Sequence, residues 1–182
     1  MELANVLHRV QGQTSPHPRI LYLLECAVAG NDLPAPFPWS KAAYNDLSLP
    51  ELREAIVGCG GSVAACGTKL RNRNLMDVYC HHMNVEAVLL LMELGGADVM
   101  NVPDVYGRTP IFTAAASGSR KDANHIGKAT QLKLTRILCD ANCRVDLIDV
   151  DGRNILQHAG LGMDQETQQI KNLLIARGAI PR

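Results

Sequence analysis

Residues 104–118 read DVYGRTPIFTAAASG, and residues 149–160 read DVDGRNILQHAG. Gly107-Arg108-Thr109-Pro110-Ile111 and Gly152-Arg153-Asn154-Ile155-Leu156 correspond position for position, 45 residues apart. Thr109-Pro110 reads as a helix start, with the hydroxyl as N-cap and proline at the first helical position. Asn154 is suited to cap in the same way. A short helix follows each turn, with small residues (Ala114, Ala115, Ala159) that let a neighbouring helix come close.

A second pattern lies downstream of each short helix. Leu90-Leu91…Gly95, Ile137-Leu138…Asn142 and Leu173-Leu174…Gly178 each place an aliphatic pair four residues before Gly or Asn, and Ile56-Val57…Gly61 is a fainter fourth. Gly and Asn most readily take the left-handed conformation that ends a helix. Between Met83 and Leu91 the step is 8 residues, but between Gly118 and Leu138 it is 20. Removing those 12 extra residues from 45 leaves 33, the period of a turn followed by two antiparallel helices.

These residues resemble the ankyrin repeat. Asp104–Gly118 is similar to the signature Asp-x-x-Gly-x-Thr-Pro-Leu-His-x-Ala-Ala-x-x-Gly, Asn84–Val99 to a second helix with its return, and Asp149–Gly160 with Gln168–Ile180 to a terminal repeat. The resemblance covers Asn72–Ile180. Phe112 stands where His is usual, Asn154-Ile155 replaces Thr-Pro, and Asn72-Arg73-Asn74 replaces Gly-x-Thr. It implies an all-α solenoid of about four helix-turn-helix repeats with short finger hairpins. It also implies a binding surface on the fingers and first helices. By alignment that surface comprises Leu70, Arg71, Arg73, His81, His82, Val105, Tyr106, Arg108, Ala116, Ser117, Val150, Asp151 and Arg153.

The expected organisation is an N-terminal extension or capping helix over 1–18 and a degenerate first repeat over 19–65. A second repeat over 66–101, a third over 102–146 and a capping repeat over 147–182 follow. Helices are predicted near 20–29, 49–58, 75–82, 85–94, 110–117, 131–141, 155–161 and 166–177. Ser48 is placed as the N-cap of the 49–58 helix. Asn31–Asp46, with three prolines in five positions, is assigned to loop because proline breaks a helix interior. Residues 119–130 (SRKDANHIGKAT) read as an insertion without apolar periodicity. An unrelated N-terminal helical cap is the alternative for residues 1–65.

Composition narrows the functional classes. Eighteen basic residues balance eighteen acidic ones, so no bulk positive field attracts nucleic acid or an anionic membrane. Aromatics make up 4%, which argues against base-stacking platforms. Met1–Val10 lacks the pattern of a secretory signal and no apolar run approaches a membrane span, so the expectation is a cytoplasmic (or nuclear) monomer with reduced cysteines.

Four chemical motifs dissolve on inspection. In GCGGSVAACGTK (58–69) the Gly-Lys order of a phosphate loop is broken by Thr68. A calcium loop centred on Gly152 would need acids where Leu147 and His158 stand. Cys80 and His82 point to different sides of a helix, which disfavours zinc with Cys139 and Cys143. None of the six histidines has a recognisable local catalytic partner. One arrangement stays suggestive: Arg73, Arg108 and Arg153 follow the finger glycines or their substitute. Stacking would set them in a column suited to an acidic partner segment, with Asp104 and Asp149 near enough to offset them. The expectation is a non-catalytic protein–protein interaction scaffold without cofactor or metal. The alternatives are a structural adaptor or fragment of a larger ankyrin protein, or a small enzyme.

Overall fold

The computed structural model describes residues 37–43, 45–116, 125–160 and 164–181. The helix expected at 20–29 and the extension 1–18 lie outside them. The described residues form eight α-helices: α1 (Trp39–Ala43), α2 (Leu49–Gly58), α3 (Leu75–His81), α4 (Val85–Glu93), α5 (Pro110–Ala116), α6 (His125–Asp140), α7 (Ile155–His158) and α8 (Gln165–Ala176). Strand is confined to β1 (Thr68–Lys69) paired antiparallel with β2 (Arg73–Asn74), plus an isolated bridge between Ile148 and Asn154. The structure is thus mostly helical. Among the described residues no helix is long and apolar enough to cross a membrane.

The helices form two rows. α3 packs on α5 and α5 on α7, with α1 against α3 at one end; α2, α4, α6 and α8 pack in succession alongside. Rungs join the rows, α3 to α4, α5 to α6 and α7 to α8. The core lies between the rows, where Ile56, Leu91, Leu138 and Leu174 of one row meet Met76, Ile111 and Ile155 of the other, all of them buried. The aliphatic pairs read from the sequence therefore each contribute a core residue, and their partners Val57 and Ile137 lie further out.

The expected cap residues turn left-handed. Gly61, Gly95, Asn142 and Gly178 have φ of 76°, 84°, 61° and 102°. After Asn142 and Gly178, the next N–H groups reach back across the last turn, Cys143 to the Leu138 carbonyl (3.1 Å) and Ala179 to that of Leu174 (2.9 Å). These bonds satisfy carbonyls that a helix end leaves open.

The Pro-rich segment departs from expectation. Residues 39–43 are helical, although all of 31–46 was assigned to loop. Pro38 precedes the first turn, where a missing N–H costs nothing, and its carbonyl accepts from Lys41 and Ala42 N–H (3.1 and 3.2 Å). Trp39 Nε1 donates to the Cys66 carbonyl (3.1 Å), and Asn45, at φ 60°, accepts on Oδ1 from Asn84 Nδ2 (2.8 Å). α1 thus joins the row of short helices, connected to α2 across residues 44–48. Ser48 opens α2 as expected, its N–H and hydroxyl both donating to Glu51 (2.9 and 2.6 Å).

The expected insertion also shortens. Helix α6 begins at His125, six residues before its predicted start, so 125–130 belongs to the helix rather than to a loop. Lys128 pairs with Asp164, the N-cap of α8, and the buried Gln131 amide donates to the Ala115 carbonyl. Both ties link residues distant in sequence, so apolar periodicity had no means of showing them. Helix α7 ends at His158, three residues short of its predicted end.

Candidate recognition face on the stacked turns

The 45-residue correspondence becomes a repeated hydrogen-bond pattern. Asp104 Oδ1 accepts from the N–H groups of Tyr106 and Arg108 (2.8 and 3.0 Å); Asp149 Oδ1 accepts from those of Asp151 and Arg153 (3.0 and 2.9 Å). Asp104 N–H donates to the Arg108 carbonyl and Asp149 N–H to that of Arg153 (2.8 and 2.9 Å). Asn72, Gly107 and Gly152 hold φ of 58°, 77° and 76°, so the substitution at 72 preserves the left-handed turn. Only small or locally hydrogen-bonding residues take that conformation cheaply.

The turns also bond to each other. Val105 N–H donates to the Arg71 carbonyl (3.1 Å) and Val150 N–H to the Tyr106 carbonyl (2.9 Å). Gly107 lies so close to the next turn that a Cβ there would meet Asp149 Cα at 3.4 Å. This stacking leaves Val105 57% and Val150 66% exposed.

Caps fix where each short helix starts. Asn74 Oδ1 accepts from Asp77 N–H (3.0 Å) and Asn154 Oδ1 from Gln157 N–H (3.1 Å). Their amides reach forward to the return from the paired helix, Asn74 to the Val99 carbonyl (2.9 Å) and Asn154 to that of Ile180 (2.7 Å). Thr109 departs from expectation: its buried hydroxyl has no hydrogen-bond partner among the described residues.

Between turns and short helices lies a depression of about 400 Å³. Of the residues expected on the binding surface, Arg71, Arg73, His81, Tyr106, Arg108 and Ala116 line it, joined by Asp104, Phe112, Thr113 and His158. Val105, Val150, Asp151 and Arg153 are exposed on the turns outside the lining. His82, like His81, is half-buried, and the two rings lie 5.5 Å apart edge-on. Ser117 lies outside the described residues, as does the side chain of Leu70.

The arginine column is neutralised where it stands. Arg73 Nε donates to the buried Asp77 carboxylate, which also accepts from the Thr113 hydroxyl on α5. Arg108 sits 3.1 Å from Asp149 and 3.5 Å from Asp151, and Arg153 lies 4.0 Å from Asp151. The Asp149 side chain is fully buried, with His158 Nε2 2.7 Å from Oδ2. Burial pushes its carboxyl up, but the N–H of Arg153, His158 and the N–H of Asp151 outweigh this and hold it at about 2. The His158 ring meets Phe112 edge-on at 5.3 Å. Sequence reasoning overlooked Asp77, Phe112, Thr113 and His158. Thr113 and His158 do share the 45-residue spacing, a signal that pointed to them.

Tyr106 carries two guanidinium groups on its ring, with Arg71 at 5.5 Å and Arg108 at 5.3 Å from the centroid. Cys59, Cys66, Cys80, Cys139 and Cys143 are buried cysteines. Burial, reinforced by Asp77, pushes the Cys80 thiol far above its ordinary range. Among the described residues no group of three His, Cys, Asp or Glu could hold a metal ion. Compared with protein-family models and with curated protein sequences, the chain matches none.

Proposed function

We propose that the protein is a non-catalytic recognition module, an ankyrin-like solenoid whose finger turns and short first helices bind a partner protein. The observation that carries this reading is the repeated exposure of Val105 and Val150. They sit at equivalent positions of two turns whose backbones bond to each other, beside the 400 Å³ depression. Branched aliphatic side chains held out by a rigid backbone lose little entropy on binding, which suits a recognition surface. The two-row packing supports the solenoid reading, because each helix pair packs mainly on its neighbours.

Photo-crosslinking tests it. A photoreactive residue is placed at Val105, at Val150 or at Leu89, which is exposed on α4 in the other row. Crosslinks to a common partner from positions 105 and 150, and not from 89, are expected. Crosslinks from 89 alone, or from none of the three, would overturn the reading.

A further inference from the structure

We infer that the depression takes an acidic side chain of the partner, an Asp or Glu, with Arg71 as the residue that reads it. The inference rests on the recognition-face reading above and specifies the chemistry of its occupant.

The carboxylates near the depression are mostly withdrawn or engaged. Asp149 is buried under Arg108, Asp77 is buried between Arg73 and Thr113, and Asp104 accepts two backbone N–H groups within its own turn. Asp151 faces solvent, but Arg108 and Arg153 flank it. The cations lie outward of these acids. Arg73 and Arg108 keep about a third of their side chains exposed while paired below. Arg71 is exposed, and among the described residues its guanidinium has the Tyr106 ring beneath it and no carboxylate within 4.0 Å.

Stacking on an aromatic face fixes the plane of a guanidinium while leaving its N–H edge open. That edge matches a carboxylate, which accepts two parallel N–H bonds. Arg71 is set there by its backbone: φ is 66°, and its carbonyl accepts the inter-turn bond from Val105. Arg108 on the same ring adds a second positive charge to the rim. A basic partner side chain would meet these cations first, and the buried carboxylates are out of its reach.

The test uses fluorescence anisotropy on the full chain, with short labelled peptides in which Glu, Gln or Lys alternates with Ser. The Glu peptide is expected to bind most tightly and to weaken with salt. Arg71→Gln is expected to weaken Glu-peptide binding about tenfold, the scale of one charge-assisted hydrogen-bonded contact. Arg71→Lys, which keeps charge without the planar fork, is expected to fall between. Because the Arg71 side chain is exposed, both variants should melt with the wild type, which separates lost binding from lost folding. Equal binding of Glu and Gln peptides, preference for the Lys peptide, or full binding by Arg71→Gln would overturn the assignment. If Val105 still crosslinks to the partner in that case, the acidic assignment falls and the recognition face stands.

Discussion

Arg108 and Asp149 stand 41 residues apart in the chain, yet a guanidinium nitrogen of one lies 3.1 Å from the carboxylate of the other. The pair joins one turn to the next, and the same carboxylate ties the second turn to α7 through His158. Asp149→Ala removes the buried end of this pair and leaves the N–H groups of Asp151 and Arg153 without their acceptor, so it is expected to cost about 3 kcal/mol. Asp149→Asn, which keeps the acceptor for the turn N–H groups, should cost less. The pH dependence has a definite sign. The carboxyl lies at about 2 in the folded chain against an ordinary 3.8, so its contribution is complete above 3.8 and is lost as pH falls towards 2. Denaturant midpoints of wild type and Asp149→Asn should therefore converge across that window.

Asn74 and Asn154 each serve two ends, capping one helix and bonding to the return from its pair. Losing a cap costs about 1 kcal/mol, and the freed carbonyl of Val99 adds to it. Asn74→Ala is expected to lose about 2 kcal/mol in urea unfolding. Asn74→Asp should recover the cap but not the amide bond, landing between.

Tyr79 is fully buried, and its hydroxyl has no hydrogen-bond partner among the described residues. Removing an unsatisfied buried hydroxyl is neutral or stabilising, so Tyr79→Phe should raise stability by up to about 1 kcal/mol. Burial pushes the phenol from 10 to about 12. An acid whose folded pKa is raised loses stability as pH climbs between the unfolded and folded values. Wild-type stability should fall from pH 10 to about 12 through this group, and Tyr79→Phe should flatten the fall in a pH series of thermal melts.

Replacing residues 119–130 with a Gly-Ser turn should lower the melting temperature measurably. The exchange removes the first turns of α6 and the Lys128 partner of the α8 cap residue Asp164. A replacement confined to 119–124 leaves both in place and is expected to lower the melting temperature less. Scanning calorimetry of the two variants separates the cases.

The parts of the fold legible in the sequence were those set by local backbone chemistry. Gly107 and Gly152 announced turns, Asn142 and Gly178 announced helix ends, and the aliphatic pairs announced one buried row. Helix α1 was missed because three prolines were counted against a whole segment, when all of them precede Trp39. The first turns of α6 were missed because their ties, Lys128 to Asp164 and Gln131 to Ala115, are tertiary. At the candidate recognition face, the spacing placed Arg73, Arg108 and Arg153 in equivalent turns. It carried no information on which arginine finds a carboxylate. Asp77 reaching Thr113, 36 residues on, is the clearest instance of what only packing reveals.

The most direct test of the recognition face is a methyl NMR titration with the partner captured through Val105. Val105 and Val150 sit on the stacked turns; Leu89 and Ile175 are exposed on α4 and α8, in the other row. Shifted and broadened methyl signals are expected for Val105 and Val150, with Leu89 and Ile175 unmoved. Perturbation of Leu89 and Ile175 with Val105 and Val150 unchanged would contradict this expectation.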